Sequence, residues 1–290
     1  LLRAAEAWER AIAQGGERDE HFWGSVLSCG FCYRDAGLLD RAREKFDQIV
    51  RVGLGPLLEM EAEGARDLTV LQVMERAQLE AARIRVRMDD PASREEAVAI
   101  YRAILESPHL GPRTQEWREA LGEAGRLEIR LARLHGRASY LWDGLAHLAE
   151  FQERYGRSRE AQDELPEMAR ARAWGTREAG RWEQAAAILA DLRRDRPSDL
   201  PTATDLVLEA DCRMRMGRHA EAADLFERAL PLLQGEERQA VHASLYEARR
   251  LTGGMLPAAP APGETGPAAD WERRRRAFRA ALAVAGGEAP

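Results

Sequence analysis

The sequence predicts an all-α fold in which short amphipathic helices pair antiparallel and the pairs stack into an α-solenoid. Apolar residues recur at spacings of three and four along most of the chain, which is the helical period. Glycines and prolines separate these helical stretches, and one two-helix pattern returns several times along the chain. This combination is typical of a stacked-repeat protein.

The clearest copy of the pattern runs from Asp205 to Leu230. Its two helices carry their apolar faces at Leu206, Ala210 and Met214, and at Ala222, Leu225, Phe226 and Ala229. Gly217 lies where the first helix must stop, because glycine adopts the left-handed capping conformation without a side-chain clash. The connection that follows is so short that the two helices must be antiparallel.

This copy resembles the tetratricopeptide repeat, a unit of about 34 residues with small residues at two fixed positions and an aromatic residue after the second. On that frame Ala210 and Ala222 are the small residues and Phe226 is the aromatic one. The resemblance implies a right-handed superhelix of hairpins, in which the first helix of each pair lines the concave surface.

The N-terminal part of the chain fits the same frame. Residues 4–12 are interpreted as the second helix of a pair, with Ala4, Trp8 and Ala11 on its packing face, so we expect its first helix upstream of Leu1. The next pair carries the landmark residues Gly30, Tyr33, Gly37, Ala42, Phe46 and Ile49.

A third pair with an enlarged turn follows. Residues 53–67 are expected to form a connection with a short helix near 56–63, followed by a long helix over 68–88. Ser93 and Glu96 are interpreted as a capping box that starts the second helix, which carries Ala97, Tyr101 and Ile104.

The C-terminal half continues the pattern. Residues 113–155 predict an irregular pair, and 158–177 with 182–194 predict another. Residues 234–251 are expected to form a capping helix, so that the solenoid spans 1–251. A linker rich in Pro, Ala and Gly over 252–269 then leads to a detached helix and tail over 270–290.

Composition excludes several classes of protein. The chain of 290 residues has no apolar run long enough to span a membrane. Its formal net charge of −6 argues against general nucleic-acid binding, because affinity for phosphate depends on the cations presented. Nor is a metal, cofactor or catalytic site expected, since the six histidines are scattered and no P-loop or GxSxG turn is present.

The segment from Cys29 to Cys32 has the CxxC spacing of a redox centre. Its position inside a helical stretch favours a packing role, because such motifs act at a helix N-terminus after a strand.

Carboxylates alternate with arginines along the predicted helices. Glu119, Glu123 and Glu128 are an example, and this pattern is typical of solvated faces.

The repeat resemblance implies which side chains face the concave groove. These are Leu27, Phe31, Arg34, Arg83, Val86, Arg170, Trp174, Arg177, Asp211 and Arg215. Arginines mixed with large apolar groups suit an extended or helical peptide that carries acidic groups.

The detached C-terminal helix is basic and amphipathic. Trp271, Arg273, Arg274, Arg275, Arg276 and Phe278 could form a docking element for a partner or an acidic lipid surface, or belong to a tail that packs back on the scaffold.

The leading functional hypothesis is a non-catalytic scaffold that holds a partner polypeptide in its groove. Residues 151–199 resemble repeats of bacterial outer-membrane assembly lipoproteins and periplasmic division coordinators, which favours an envelope complex over a cytoplasmic one. Two alternatives stay open: a regulatory or docking domain of a larger enzyme or signalling protein, and a nucleic-acid-binding helical repeat protein.

Overall fold

The computed structural model describes residues 1–14, 22–52, 68–88, 90–108, 110–195 and 202–253. Over these ranges the chain is built from helices joined by turns, without a strand. The α-helices are α1 (Leu2–Gln14), α2 (Phe22–Asp35), α3 (Leu39–Val52), α4 (Leu68–Met88), α5 (Pro91–Leu105), α6 (Gln115–His135), α7 (Ala138–Tyr155), α8 (Leu165–Glu178), α9 (Trp182–Asp195), α10 (Ala203–Arg215), α11 (His219–Ala229) and α12 (Gly235–Leu251). The all-α fold predicted from the sequence is confirmed.

The helices group into two compact units, unit 1 from Leu1 to Arg154 and unit 2 from Tyr155 to Pro290. Consecutive helices pack against each other within each unit, as α2 does on α3, α4 on α5, α8 on α9 and α10 on α11. Within each unit the second helix of one pair also packs on the first helix of the next, as α3 does on α4 and α9 on α10, which is the arrangement of an α-solenoid.

The pair α2/α3 forms the best-defined core of unit 1. Tyr33, Ala42, Phe46 and Ile49 are all buried, as the repeat frame predicts. A Cβ at Gly30 would lie 2.6 Å from Cε1 of Phe46, so only glycine lets the ring of α3 reach the backbone of α2.

In α1 the predicted packing face is wrong by one residue. Ala5 is buried, and its carbonyl accepts a hydrogen bond from Sγ of Cys29. Ala4 is exposed, and 38% of Trp8 is accessible to solvent. The face that contacts α2 is therefore rotated from the one inferred for an isolated second helix.

The predicted capping box at Ser93 is also wrong, because α5 begins three residues earlier than an N-cap at Ser93 would place it. Asp90 is the N-cap and accepts a 2.9 Å hydrogen bond from the backbone N–H of Ser93. Pro91 follows at the first helical position, where its fixed φ is favourable and its missing N–H costs nothing. Glu96 instead accepts a hydrogen bond from Arg85.

The irregular pair predicted over 113–155 consists of two long helices, α6 and α7, which approach each other closely. A Cβ at Gly144 would lie 2.8 Å from the carbonyl oxygen of Gly125, so the two backbones meet without side chains between them. On α7, Leu148 and Phe151 are buried, whereas Trp142 is 46% exposed.

In unit 2, α8 starts at Leu165 rather than at Ser158. Pro166 lies in the first turn of this helix, and a helix running through it from 158 would lose a hydrogen bond and clash with the ring. Residues 158–164 form turns instead.

The pair α10/α11 agrees with the sequence analysis, because Leu206, Ala210, Ala222, Phe226 and Ala229 are all buried. Gly217 ends the first helix with φ of 73°, in the left-handed region. The final helix α12 packs on α11 through a cluster that includes Val241, Leu245 and Ala248. The expected short helix at 56–63 and the C-terminal segment from 254 onwards lie outside the described residues.

Candidate interaction surface

The first helices of successive pairs contact one another and form one surface in each unit. In unit 1, α4 contacts both α2 and α6, and in unit 2, α8 contacts α10. We call these surfaces the first-helix faces. They are defined by Phe31, Arg34, Arg76, Arg83 and Val86 in unit 1, and by Arg170, Trp174, Arg177 and Asp211 in unit 2.

Phe31 is the aromatic centre of the face in unit 1. Its half-buried ring packs edge-on against Phe46 with centroids 5.6 Å apart. The guanidinium groups of Arg34 and Arg76 lie 4.8 and 5.6 Å from its centroid. Two arginines over one ring are a cation–π arrangement that keeps both cations at the surface beside an apolar group.

Leu27 does not belong to this surface, although the repeat frame placed it there. Only 9% of the residue is exposed, and it packs in the core with Phe22 and Val26. The reason is that α2 packs on α1 and α3 as well as on α4, which leaves little of its circumference exposed.

Two arginines of this face, Arg34 and Arg83, are joined by carboxylates into a chain of ion pairs. Arg34 donates a 2.7 Å hydrogen bond to Oε2 of Glu80, a residue only 1% exposed, and Arg83 pairs with the other oxygen of Glu80 at 2.5 Å. Arg83 also donates from Nε to Glu119 at 2.6 Å. The chain therefore links α2, α4 and α6.

These carboxylates stabilise the charged form of both arginines. Burial opposes the charged form of Arg34, but hydrogen bonds to Glu80 and Asp35 outweigh it and raise its pKa. The pKa of Arg83 is raised in the same way, with Glu119 and Glu80 overcoming the cost of burial. A partner carboxylate that bound at Arg34 or Arg83 would have to share an arginine that is already paired.

The remaining polar groups of α4 include one perturbed carboxyl. Burial, with a smaller contribution from the negative charge of Glu116, raises the pKa of Glu75 to about 7.

Val86, which the sequence predicts on the concave surface, lies near the C-terminal end of α4 and is half-buried.

Unit 2 has a similar arrangement on α8 and α10, in which an arginine lies beside both an aromatic ring and a carboxylate. Arg177 lies 5.9 Å from the ring centroid of Trp174 and 3.9 Å from Asp211 of α10. Two helical turns earlier, Nε of Arg170 donates to both oxygens of buried Asp205, at 2.9 and 3.0 Å. Asp205 also forms the capping box of α10 with Thr202.

The two first-helix faces share one local arrangement. Trp174 directly follows buried Ala173 in α8, just as Phe31 directly follows Gly30 in α2. In both units the arginine three residues after the aromatic residue lies over the ring. The same arginine forms an ion pair with an acidic residue of the next first helix, Arg34 with Glu80 and Arg177 with Asp211. Arg215, by contrast, lies over Trp182, with its guanidinium 5.5 Å from the ring centroid.

Sequence reasoning missed the buried carboxylates. Glu128, interpreted as part of a solvated face, is 0% exposed. It accepts a 2.8 Å hydrogen bond from Nε of Arg102 on α5 and lies 2.7 Å from Nδ1 of His147 on α7. Glu209 of α10 is buried likewise and pairs with Arg193 of α9. The only signal in the sequence is that each of them lies between two apolar residues of a first helix, Leu127 and Ile129 for Glu128, and Leu208 and Ala210 for Glu209.

The cysteines have the environment of packing residues. Burial raises the pKa of the Cys29 thiol to about 11, and that of Cys212 also to about 11. A redox or ligand cysteine needs a lowered pKa, so neither thiol is poised to act as a thiolate. Within the described ranges, no three His, Cys, Asp or Glu side chains are grouped to hold a metal ion.

Two further expectations concern membranes and docking. The docking helix with Trp271, Arg273, Arg274, Arg275, Arg276 and Phe278 lies outside the described residues. Across the part of the chain that is described, no helix is both long enough and apolar enough to cross a bilayer.

The paired helices and their stacked first-helix faces define the class of this protein, an α-solenoid of hairpins resembling tetratricopeptide repeats. No family model matches the chain, and no curated protein matches it. Among solved structures, it is similar to a tetratricopeptide repeat protein from Parabacteroides merdae ATCC 43184, with 13% identity, coverage of 87% of this chain and 92% of that chain, and a TM-score of 0.38.

Two other solved structures are similar at the same level. One is a thermophilic TPR protein from Thermus thermophilus, with 18% identity, 77% and 98% coverage and a TM-score of 0.43. The other is the TPR domain of P58(IPK), with 12% identity, 81% and 80% coverage and a TM-score of 0.32. TM-scores this low do not support an argument about the class, which is therefore based on the helix pairs of the chain itself.

Proposed function

We propose that this chain is a non-catalytic scaffold that binds a partner polypeptide on its first-helix faces. The observation that carries the proposal is the recurrence of one arrangement in both units, in which Arg34 lies over Phe31 and Arg177 over Trp174. Aromatic residues and arginine are the residue types that dominate binding energy at protein interfaces.

The partner that fits these faces presents both apolar and acidic side chains. Trp174 and Phe31 are half-buried, so each offers part of a ring for apolar contact without leaving the fold. Arg76 has no carboxylate partner among the described residues, while Arg34 and Arg177 are already paired. A partner carboxylate would therefore bind most favourably at Arg76.

A nucleic-acid partner has less support. Arg34, Arg83 and Arg170 are each held by a carboxylate of the same face, so little unpaired positive charge is presented to phosphates. Filter binding of RNA and DNA by the full chain at low salt should show no salt-dependent affinity.

The experiment that tests the proposal compares polypeptides captured by the full chain and by two variants. Trp174→Ala removes the aromatic group of the face in unit 2, and Trp142→Ala removes an equally large, exposed ring of α7. Immobilised protein is exposed to an extract of the native organism, and bound polypeptides are identified by mass spectrometry. Loss of the same polypeptides with Trp174→Ala but not with Trp142→Ala is expected, and equal capture by both variants would contradict the proposal.

For its setting we propose a bacterial envelope assembly, on the resemblance of residues 151–199 to envelope repeat proteins. Fractionation of the native organism, with an antibody against this chain, tests that placement. Recovery in the periplasmic or membrane fraction is expected, and exclusive recovery in the cytosolic fraction would contradict it.

A further inference from the structure

Unit 2 carries a surface hollow of about 580 Å³ that lies at the turn ends of its helix pairs. It is formed by the α8–α9 turn, the first two turns of α9 and the residue that caps α10. Its lining includes Gly180, Arg181, Trp182, Glu183, Ala187 and Met216. None of these residues belongs to the first-helix faces, so the hollow is a separate feature.

The floor of the hollow is apolar and well supported. Trp182 and Met216 are half-buried and pack against a buried cluster of Ala185, Ala186 and Cys212. The two side chains thus present one side to the core and the other to the hollow. Methionine adapts its shape to different apolar groups, and tryptophan offers a large flat contact area.

The rim of the hollow carries more positive than negative charge. Arg215 places its guanidinium 5.5 Å from the centroid of Trp182, and no carboxylate forms an ion pair with it in the described part of the chain. Arg181 adds a second cation to the lining, and Glu183 is the one acidic side chain there. A cation held over an aromatic ring keeps its charge available to an incoming anion.

We propose that this hollow binds an acidic segment of a partner polypeptide, with one apolar side chain of the segment between Trp182 and Met216 and a neighbouring carboxylate on Arg215. The volume accommodates one or two side chains. Its other lining residues, including Ala187, are exposed, so the hollow is too open to enclose a small molecule and suits an anchor residue of a longer chain. Arginine and tryptophan together supply the charge and the apolar contact.

The proposal is tested with a fluorescein-labelled peptide, GDEDFDEDG, whose binding to the full chain is followed by fluorescence anisotropy at about 0.05 M salt. Comparison peptides replace its Phe by Ala, or all its acidic residues by Lys. The Phe-containing acidic peptide should bind at least about tenfold more tightly than either comparison peptide.

Two variants of the chain locate the site. Arg215→Glu reverses the charge on the rim, and Ala187→Glu places a carboxylate in the hollow from an exposed position of α9 that supports no core contact. Each should weaken binding of the acidic peptide at least about fivefold. Arg228→Glu and Ala220→Glu make the same changes at exposed positions of α11 and should leave it unchanged.

Circular dichroism of the four variants should match the wild-type spectrum, so that loss of binding is not loss of folding. Equal binding of the acidic peptide by Arg215→Glu, Ala187→Glu and their controls would overturn the proposal, as would tighter binding of the Lys peptide. Equal binding of the Phe and Ala peptides would overturn the apolar part of the site. Trp174→Ala should bind the peptide normally, which separates this site from the function proposed for the first-helix faces.

Discussion

Arg34 of α2 donates a 2.7 Å hydrogen bond to Glu80 of α4, and this pair serves both the fold and the surface. Glu80 is buried at the joint between two helix pairs, whereas Arg34 is partly exposed beside Phe31. The surface arginine is therefore fixed in position by a carboxylate that also holds successive repeats together. Changing Arg34 to an acidic residue would oppose two negative charges in a buried place, so its effects on binding and folding would be inseparable.

Removing the charge of Glu80 should weaken the stack. Glu80→Gln leaves Arg34 and Arg83 without their shared carboxylate, and the free energy of unfolding should fall by about 1–3 kcal/mol. Glu44→Gln changes an exposed carboxylate of α3 and serves as the control. Urea unfolding followed by circular dichroism measures both variants, and equal stabilities would show that the buried pair contributes nothing.

The close approach of α6 and α7 depends on glycine. Gly144→Ala would place a Cβ 2.8 Å from the carbonyl oxygen of Gly125, a backbone atom that cannot move aside, so stability should fall by about 1–3 kcal/mol. Gly24→Ala in α2 meets no atom within 4 Å and should raise stability by about 0.5–1 kcal/mol through its better helix propensity. Thermal melts of the two variants that shift in the same direction would contradict the packing described for α6 and α7.

The free energy of unfolding should fall as the pH rises, because the pKa of Glu75 is raised in the folded state. Burial and the nearby charge of Glu116 raise its pKa to about 7 in the folded state, above its value in an unfolded chain. The stability that protonated Glu75 provides is complete below pH about 4 and is lost as the pH rises through about 7. Glu75→Gln should therefore be more stable than the wild type at pH 8.

At pH 4, Glu75→Gln and the wild type should have the same free energy of unfolding, since both side chains are then neutral. Glu153→Gln, at an exposed position of α7, is the control and should follow the wild type at both values. Chemical denaturation at the two pH values makes the comparison. An unchanged pH profile in Glu75→Gln would show that another group is responsible.

The thiols should differ in reactivity according to burial. Cys29 and Cys212 are buried with a pKa of about 11, while Cys32 is half-buried. At pH 8 iodoacetamide should label Cys32 first, and the other two only after denaturation, because the thiolate is the reactive form. Peptide mapping by mass spectrometry identifies the labelled residue. Rapid labelling of Cys29, or a disulfide between Cys29 and Cys32, would contradict the packing role.

The sequence predicted the helices better than their orientation. Spacing and the glycine caps are local properties, so the pair around Gly217 and the burial of Tyr101 and Phe226 could be predicted without neighbours. The buried face of α7 could not, because it is set by the contact between Gly144 and Gly125, residues of two different helices.

The same limit applies to the candidate surface. Phe31 and Leu27 lie one helical turn apart on α2, yet one is partly exposed and the other is in the core, since α1, α3 and α4 all pack on this helix. Glu128 lies between Leu127 and Ile129, and its burial is explained by the hydrogen-bonding groups of Arg102 and His147, which adjacent helices bring to it. Ion pairs between helices distant in sequence leave no periodic signal.

The most direct test of the account is photo-cross-linking from the first-helix face. p-Benzoylphenylalanine is introduced at Trp174 or, as the control, at Trp142, and the full chain is irradiated in the native organism. Position 174 should give cross-links to a partner polypeptide that position 142 does not give. The same products from both positions, or none from position 174, would contradict the central claim that the first-helix faces bind another polypeptide.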